Sequence, residues 1–166
     1  MAAGSRKADI ARRIVGLFVD QDRKRAELYA LFAGRFPELR ELWDGMAREG
    51  RSRAEYLLML QGKMDDGDVT FVESRTRTYT LRSFIDYLDG IIAKTVQNRM
   101  TAAGALSIAL DIERSNIGTK ALDHFKGNSD GAEKFLRLLR EEGADPRKTA
   151  ERLRELLRKH RTKGTA

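Results

Sequence analysis

Residues 23–60 read RKRAELYALFAGRFPELRELWDGMAREGRSRAEYLLML, and this stretch decides the fold. Its apolar side chains recur at three- and four-residue steps on both sides of Pro37, which places them on one face of a helix. Proline suits the first turn of a helix, so a second helix begins soon after the first ends. Such a short connection makes the two helices antiparallel neighbours. The stretch therefore predicts a helical hairpin, with helices over about residues 8–36 and 38–61.

Composition favours a mostly helical globular protein. Of the 166 residues, 41% are hydrophobic and 34% are charged, and there are only two prolines. Cysteine is absent, which excludes disulfides, iron–sulfur clusters and thiol nucleophiles. The sequence has no apolar run as long as a membrane span and no pattern of a secretory signal. We therefore expect a cytoplasmic protein that does not enter a membrane.

The rest of the sequence predicts a crossover and a second hairpin. The crossover covers residues 64–100 and contains a short helix over about residues 81–93. Apolar periodicity then returns and predicts a third helix over about residues 101–125 and a fourth over about residues 130–160. The fourth helix is expected to break near residues 143–146.

At this break, Asp145 is a good N-cap and Pro146 a good first residue of a new helix. The patterns together predict an all-α fold in one domain over residues 1–166. Its architecture is an antiparallel four-helix bundle with a long crossover that carries the short extra helix.

Four charged residues interrupt otherwise apolar helical stripes: Asp22, Arg53, Glu113 and Glu142. Stripes of this kind line a core, where an unpaired charge is costly, so these charges must meet each other, a metal or water. Two similar halves also emerge, because Gly50 and Arg53 follow Asp22 at nearly the spacing at which Glu142 and Asp145 follow Glu113. The sequence predicts a polar centre inside a pseudo-symmetric bundle.

The stretch quoted above and a second one, ALSIALDIERSNIGTKAL (residues 105–122), resemble the helices of the rubrerythrin and ferritin-like di-iron family. The resemblance covers most of residues 8–160 and is clearest in the first hairpin. It implies a bundle that holds two iron or manganese ions and acts as an oxidoreductase. The metals would be held by one carboxylate from each of two helices and a Glu-x-x-His pair from each of the other two.

By this resemblance, the carboxylate of the first helix falls on Asp22, where the family usually has glutamate. The glutamate of the third helix falls on Glu113. Tyr29, seven residues after Asp22, could hydrogen-bond a carboxylate of the centre or serve only as a core residue. The cysteine-ligated rubredoxin module of rubrerythrins has no counterpart, since the chain has no cysteine.

The paired ligands of the second and fourth helices are altered. The second-helix pair becomes Gly50 and Arg53, so both expected ligands are missing. The fourth-helix pair becomes Glu142 and Asp145, which keeps the glutamate and loses the histidine. The only histidines, at positions 124 and 160, are expected to be surface side chains rather than ligands.

Our first hypothesis is a ferritin-like protein that has lost its di-iron site and binds no cofactor. Arg53 would stand in place of the metal and pair with the carboxylates of Asp22, Glu113 and Glu142. The alternative is an iron- or manganese-binding oxidoreductase or iron-handling protein, with Asp145 as the fourth carboxylate ligand. Whether the chain is an enzyme stays open at this point.

A third hypothesis is a helical scaffold that recruits an anionic partner through its basic C-terminal helix. The chain carries a formal net charge of +7, and much of the excess lies at Arg147, Lys148, Arg152, Arg154, Arg158, Lys159, Arg161 and Lys163. The competing interpretation is an ordinary solvated helix. A homodimer is plausible by analogy with ferritin-like bundles.

Overall fold

The computed structural model describes residues 2–72, 78–115, 121–143 and 145–163. These residues are mostly helical, which confirms the helical prediction. The helices are α1 (Ala2–Arg35), α2 (Arg40–Asp65), α3 (Thr78–Val96), α4 (Ala102–Ser115), α5 (Asp130–Glu142) and α6 (Pro146–Lys163). Two short strands, β1 (Val69–Phe71) and β2 (Phe125–Gly127), pair in an antiparallel ladder.

The first hairpin consists of α1 and α2. Pro37 begins a 3-10 turn over Pro37–Leu39 that joins the two helices, and the amide of Phe36 donates to the carbonyl of Phe32 at the end of α1. Near this turn, the ring of Trp43 stacks on Tyr29 and meets Phe32 edge-on. Both helices extend beyond the predicted bounds, to Ala2 in α1 and to Asp65 in α2.

The crossover contains a longer helix than expected. Helix α3 covers Thr78–Val96 instead of about residues 81–93, and it packs along α1. The side-chain amide of Gln21 donates to the carbonyl of Leu81 at 3.3 Å, and Lys24 pairs with Asp89. These contacts between helices make α3 part of the packed structure.

The prediction of one helix over residues 101–125 is wrong at its C-terminal end. Helix α4 ends at Ser115, residues 116–120 lie outside the described part, and Phe125 belongs to β2. The ring of Phe125 packs edge-on against Phe71 of β1, with ring centroids 5.2 Å apart. Strand pairing therefore gives Phe125 its burial, and helical periodicity in the sequence cannot reveal such a long-range contact.

Helices α5 and α6 occupy the region of the predicted fourth helix. Ser129 caps α5 by accepting a hydrogen bond from the amide of Ala132, and the chain leaves helical geometry at Gly143. Helix α6 begins at Pro146 and packs on α4. The predicted break near residues 143–146 lies between these two helices.

In the described part of the chain, the buried apolar side chains form two clusters. One joins the C-terminal half of α1 to the start of α2 and to α3, α4 and α6. The other joins the N-terminal half of α1 to the end of α2, the two strands and α5. Along α1, the first cluster begins at Leu28 and the second ends at Val19. The charged residues of α1 described below lie between these two positions.

None of the described helices is both long enough and apolar enough to cross a membrane. Helix α1 has the length, but charged side chains are distributed along it. The exposed faces of the helices are largely polar, as an amphipathic pattern requires, although large apolar side chains such as Tyr79, Val96 and Leu138 are exposed as well.

Candidate functional site

A cluster of buried charges lies between α1 and α4. Asp22 and Arg25, one turn apart on α1, are only 1% and 2% exposed, and Glu113 near the end of α4 is 8% exposed. Charged groups are seldom buried so completely unless they are paired. The sequence identified two of them, Asp22 and Glu113, but missed Arg25.

Arg25 bridges the two carboxylates. Its Nη2 donates to Oε1 of Glu113 at 2.6 Å, and its Nη1 donates to Oδ1 of Asp22 at 3.4 Å. The first distance is that of a strong charge-assisted hydrogen bond, whereas the second is a weaker contact. The hydroxyl of Tyr29 also donates to Oε1 of Glu113, at 3.2 Å. Tyr29 therefore takes the hydrogen-bonding role that the sequence left open.

Arg53 lies at the edge of this cluster. Its Nε is 3.5 Å from Oδ1 of Asp22, and its side chain is 21% exposed. Among the described residues, no ion pair joins Arg53 to Glu113 or Glu142. The prediction that Arg53 is the central cation is therefore corrected in favour of Arg25. The physical reason is position, since Arg25 follows Asp22 by three residues and so lies on the same face of one helix.

Burial is the largest single influence on the pKa of each shifted group in the cluster. It raises the pKa of Asp22 above its usual 3.8, although Arg53 and Arg25 act in the opposite direction. Burial likewise raises the pKa of Tyr29, and the nearby Glu113 carboxylate raises it further. For Arg25, burial alone would lower the pKa, but Glu113, Tyr29 and Asp22 outweigh it and the net pKa is raised. Arg25 thus keeps its positive charge.

Several polar atoms of the cluster are buried without a hydrogen-bond partner among the described residues. They are Oδ2 of Asp22 and the Nε atoms of Arg25 and Arg53. The single ion-pair contact of Arg53 Nε is too long for a good hydrogen bond. An unsatisfied carboxylate oxygen is expensive to bury in its charged form, which is consistent with the raised pKa of Asp22.

Gly50 brings α2 close to α1 beside the cluster. A Cβ atom at this position would lie 3.0 Å from the backbone oxygen of Asp22 and 3.2 Å from Cβ of Ala26. The resemblance places a glutamate ligand here, but even its Cβ atom would crowd the backbone of α1 unless the two helices moved apart by a few tenths of an ångström. Glycine in place of the ligand therefore allows α1 and α2 to pack closely at this position.

The fourth-helix residues do not join the cluster. Glu142 accepts a hydrogen bond from the hydroxyl of Tyr56 at 2.8 Å in an exposed setting. Oδ1 of Asp145 accepts from the amide of Arg147 at 3.0 Å, and Thr149 donates to its carbonyl, so Asp145 caps α6. The structural role considered for Asp145 from sequence is thus the one observed.

The arrangement does not fit a di-metal centre. A guanidinium occupies the space between Asp22 and Glu113, where the resemblance would place metal. Across the described parts of the chain, no group of three or more His, Cys, Asp or Glu residues is placed to hold a metal ion. The expected surface position of His124 is also corrected, because its half-buried ring packs between Phe18 and Phe71.

An open groove on the surface reaches the cluster from outside. It has a volume of about 370 Å³ and lies between α2 and the break that separates α5 from α6. Arg48, Tyr56 and Glu142 line it together with Arg53. Because Arg53 also pairs with Asp22, it is shared by the groove and the buried cluster. This is how Glu142 comes near the cluster without entering it.

The sequence places Arg25 on the right helical face but does not show that its charge is buried. Arg25 lies three residues after Asp22 and four before Tyr29, and both spacings place it on the same helical face. Arginine on an inward face usually directs its charge towards solvent, so periodicity alone gives no reason to expect it inside.

Comparisons with models of protein families, with curated proteins and with solved structures found no match to this chain.

Proposed function

We propose that this chain is a divergent ferritin-like protein, related to rubrerythrins, in which an ion-pair cluster has replaced the di-iron site. It no longer acts as a conventional di-iron oxidoreductase and serves as a helical scaffold. The observation that carries the proposal is the bridge from Arg25 to Asp22 and Glu113. These two carboxylates are the ones that the resemblance assigns as metal ligands of the first and third helices.

Electrostatics supports this proposal. Arg25 stays positively charged, and a permanent cation next to a divalent metal ion is repelled strongly in a buried setting. Arg25 and Arg53 together balance the two negative charges of Asp22 and Glu113 when both carboxylates are ionised. The cluster thereby offsets the charge of the buried acids by a route that needs no metal, although Oδ2 of Asp22 has no hydrogen-bond partner among the described residues.

The proposed architecture is the antiparallel four-helix bundle of that family. Helices α1 and α2 form its first hairpin. Helix α4 and the α5–α6 pair form its second, which the packing of α6 on α4 supports. Helix α3 is then the crossover helix. Ferritin-like bundles often pair, so we include a homodimer in the proposal by analogy, and analytical ultracentrifugation would check it.

Iron content per chain tests the loss of the metal site. The protein is incubated anaerobically with ferrous iron, desalted and analysed for metal, alongside Glu113→Gln and Glu142→Gln variants. We expect no stoichiometric iron in any of the three. We also expect no rise in the melting temperature on adding iron or manganese, because only a ligand that binds the native state stabilises it.

One result would overturn the proposal. If the parent retained about one or two irons and Glu113→Gln lost them, a working site of the ferritin type would exist. The protein would then be the iron- or manganese-binding oxidoreductase or iron-handling protein of the alternative. Iron that all three proteins retained equally would lie outside the cluster and would leave the proposal intact.

A second function is favoured by the surface of α6. This helix presents eight exposed basic side chains and only two exposed acidic ones, Glu151 and Glu155. Such an excess of one charge sign attracts polyanions and speeds their association. We propose that the bundle supports α6 as a docking surface for an anionic partner. Binding to immobilised heparin, a generic polyanion, that weakens with salt would support this function, and its absence would oppose it.

A further inference from the structure

The basic residues of α6 fall into two rows on its surface. With about 100° of rotation per residue, Arg147, Arg154, Arg158 and Arg161 share a sector of about 60°. We call these four the arginine row. The other four basic residues form a second sector, and Glu151 and Glu155 lie between the two. The arginine row extends over about 21 Å of helix, at about 1.5 Å per residue.

The arginine row is available for an external anion. All four side chains are exposed, and among the residues that the structure describes, none of the four is within ion-pair distance of a carboxylate. Glu155, one of the two acidic residues between the rows, pairs with Lys159 of the second row at 3.2 Å. The row therefore presents guanidinium groups, which match phosphate oxygens in a bidentate fashion.

The apolar residues of α6 argue against a membrane as the partner. Leu153 and Leu157 are buried against the cluster that contains Leu106 and Ala109 of α4, and Leu156 is half-buried. A helix that binds a lipid surface needs a free apolar face to insert into it. The apolar face of α6 is packed in the core and is not free. Its outward face offers charge alone.

The composition of α6 also argues against single-stranded nucleic acid. Binding of single strands relies on aromatic side chains that stack on the bases, and α6 contains no Phe, Tyr or Trp. It contains no Asn or Gln that would read adenine either. What remains is a straight row of positive charge suited to a regular line of phosphates.

We infer that α6 binds the phosphate backbone of double-stranded nucleic acid, without sequence selectivity, through the arginine row. This inference rests on the proposed docking function of α6 and names its partner. It does not depend on the loss of the metal site. If the row neutralises about four phosphates, binding to the duplex weakens by roughly 100-fold between about 50 and 200 mM salt.

Fluorescence anisotropy with a labelled duplex of about two helical turns, roughly 20 base pairs, measures this binding. The test variant carries Arg147→Gln, Arg154→Gln, Arg158→Gln and Arg161→Gln. The matched control carries Arg6→Gln, Lys7→Gln, Arg13→Gln and Arg23→Gln, which are exposed positions on α1. Each variant lowers the formal net charge of +7 by four.

We expect the control to bind like the parent within a few-fold and the test variant to lose about 100-fold in affinity at low salt. A variant with only Arg154→Gln and Arg158→Gln should lose about half of the salt dependence, and it guards against misfolding of the fourfold variant. Two duplexes of unrelated sequence should bind equally.

Equal losses in the test and control variants would overturn the inference, because overall charge would then explain binding. Absence of duplex binding would overturn it too. In that case, vesicles of phosphatidylserine and phosphatidylcholine separate the two levels of the proposal. If the parent bound the vesicles and the test variant did not, the docking function would stand and only the choice of nucleic acid would fail. If neither probe bound, both would fail.

Discussion

Nη2 of Arg25 lies 2.6 Å from Oε1 of Glu113 and so joins the middle of α1 to the end of α4. Both side chains are almost completely buried, and the contact joins residues 88 positions apart in the sequence. A buried charge that loses its partner is left in a medium that solvates it poorly. The consequences of this single contact for stability are therefore large and measurable.

Replacing Arg25 by alanine should lower the free energy of unfolding by about 3–5 kcal/mol, since it strands the carboxylates of Asp22 and Glu113. Urea denaturation at neutral pH measures the change. The control is Arg23→Ala, an exposed position two residues earlier, which should change stability by no more than about 0.5 kcal/mol. Equal effects of the two substitutions would contradict a paired role for Arg25.

A double variant separates pairing from packing at the same site. Arg25→Met together with Glu113→Leu removes both charges and keeps most of the buried volume. We expect it to recover most of the stability that either single change loses, because uncharged pairs of similar size often replace buried ion pairs at little cost. If the two losses simply added, the residues would not be coupled.

Arg53→Ala should be milder, with a loss of about 1 kcal/mol. Its side chain is partly exposed, and its Nε is 3.5 Å from Asp22, so solvent screens the interaction. The exposed Arg51 on the same helix provides the control as Arg51→Ala. Thermal and urea unfolding of both variants would show the difference. A loss as large as that of Arg25→Ala would restore Arg53 as the central cation.

The contrast between Arg25 and Arg53 shows what the sequence could and could not predict. The interrupted apolar stripes correctly marked Asp22 and Glu113 as buried charges, because burial follows helical periodicity. Periodicity does not tell which long side chain turns inwards, since an arginine on the inner face can extend its charge to solvent. The choice depends on distances between helices, which only the folded structure supplies.

In the fold, too, local features were predictable from the sequence and long-range contacts were not. Turn chemistry at Pro37 and Asp145 follows from local backbone preferences, and the sequence placed both turns well. The end of α4 was predicted too late because Phe125 pairs with Phe71, a partner 54 residues earlier. Glu142 was assigned to the centre from its place in an apolar stripe and from the resemblance, but α5 ends at this residue and its carboxylate accepts a hydrogen bond from Tyr56 instead.

The raised pKa of Asp22 predicts a pH dependence of stability. In the unfolded chain this group titrates near its usual 3.8, whereas in the folded chain it holds its proton to higher pH. The folded state then binds more protons than the unfolded state. Stability from this group is fully present below pH 3.8 and is lost as the pH rises through the folded pKa.

Asp22→Asn should remove this dependence, because asparagine resembles the protonated carboxyl group. The free energy of unfolding of the variant, relative to the parent, should increase as the pH is raised from about 4 towards neutrality. Urea titrations at a series of pH values measure it. Asp20→Asn, an exposed position on the same helix, controls for the loss of one negative charge. If the free energies of unfolding of the parent and of Asp22→Asn changed with pH in parallel, the raised pKa of Asp22 would be refuted.

Gly50→Ala tests the close approach of α1 and α2. A Cβ atom here would crowd the backbone oxygen of Asp22 at 3.0 Å, and a backbone atom cannot move aside like the end of a side chain. Overpacking of this kind costs about 1–3 kcal/mol, against a gain of about 1 kcal/mol in helix propensity. Gly62→Ala on the same helix has only the gain, since no atom lies within 4 Å of its Cβ position. Gly62→Ala should therefore be the more stable variant by about 1–3 kcal/mol in urea unfolding.

Equal stabilities of Gly50→Ala and Gly62→Ala would mean that α1 and α2 can move apart at Gly50. Space for a larger side chain, including the glutamate of a metal site, would then be available between them.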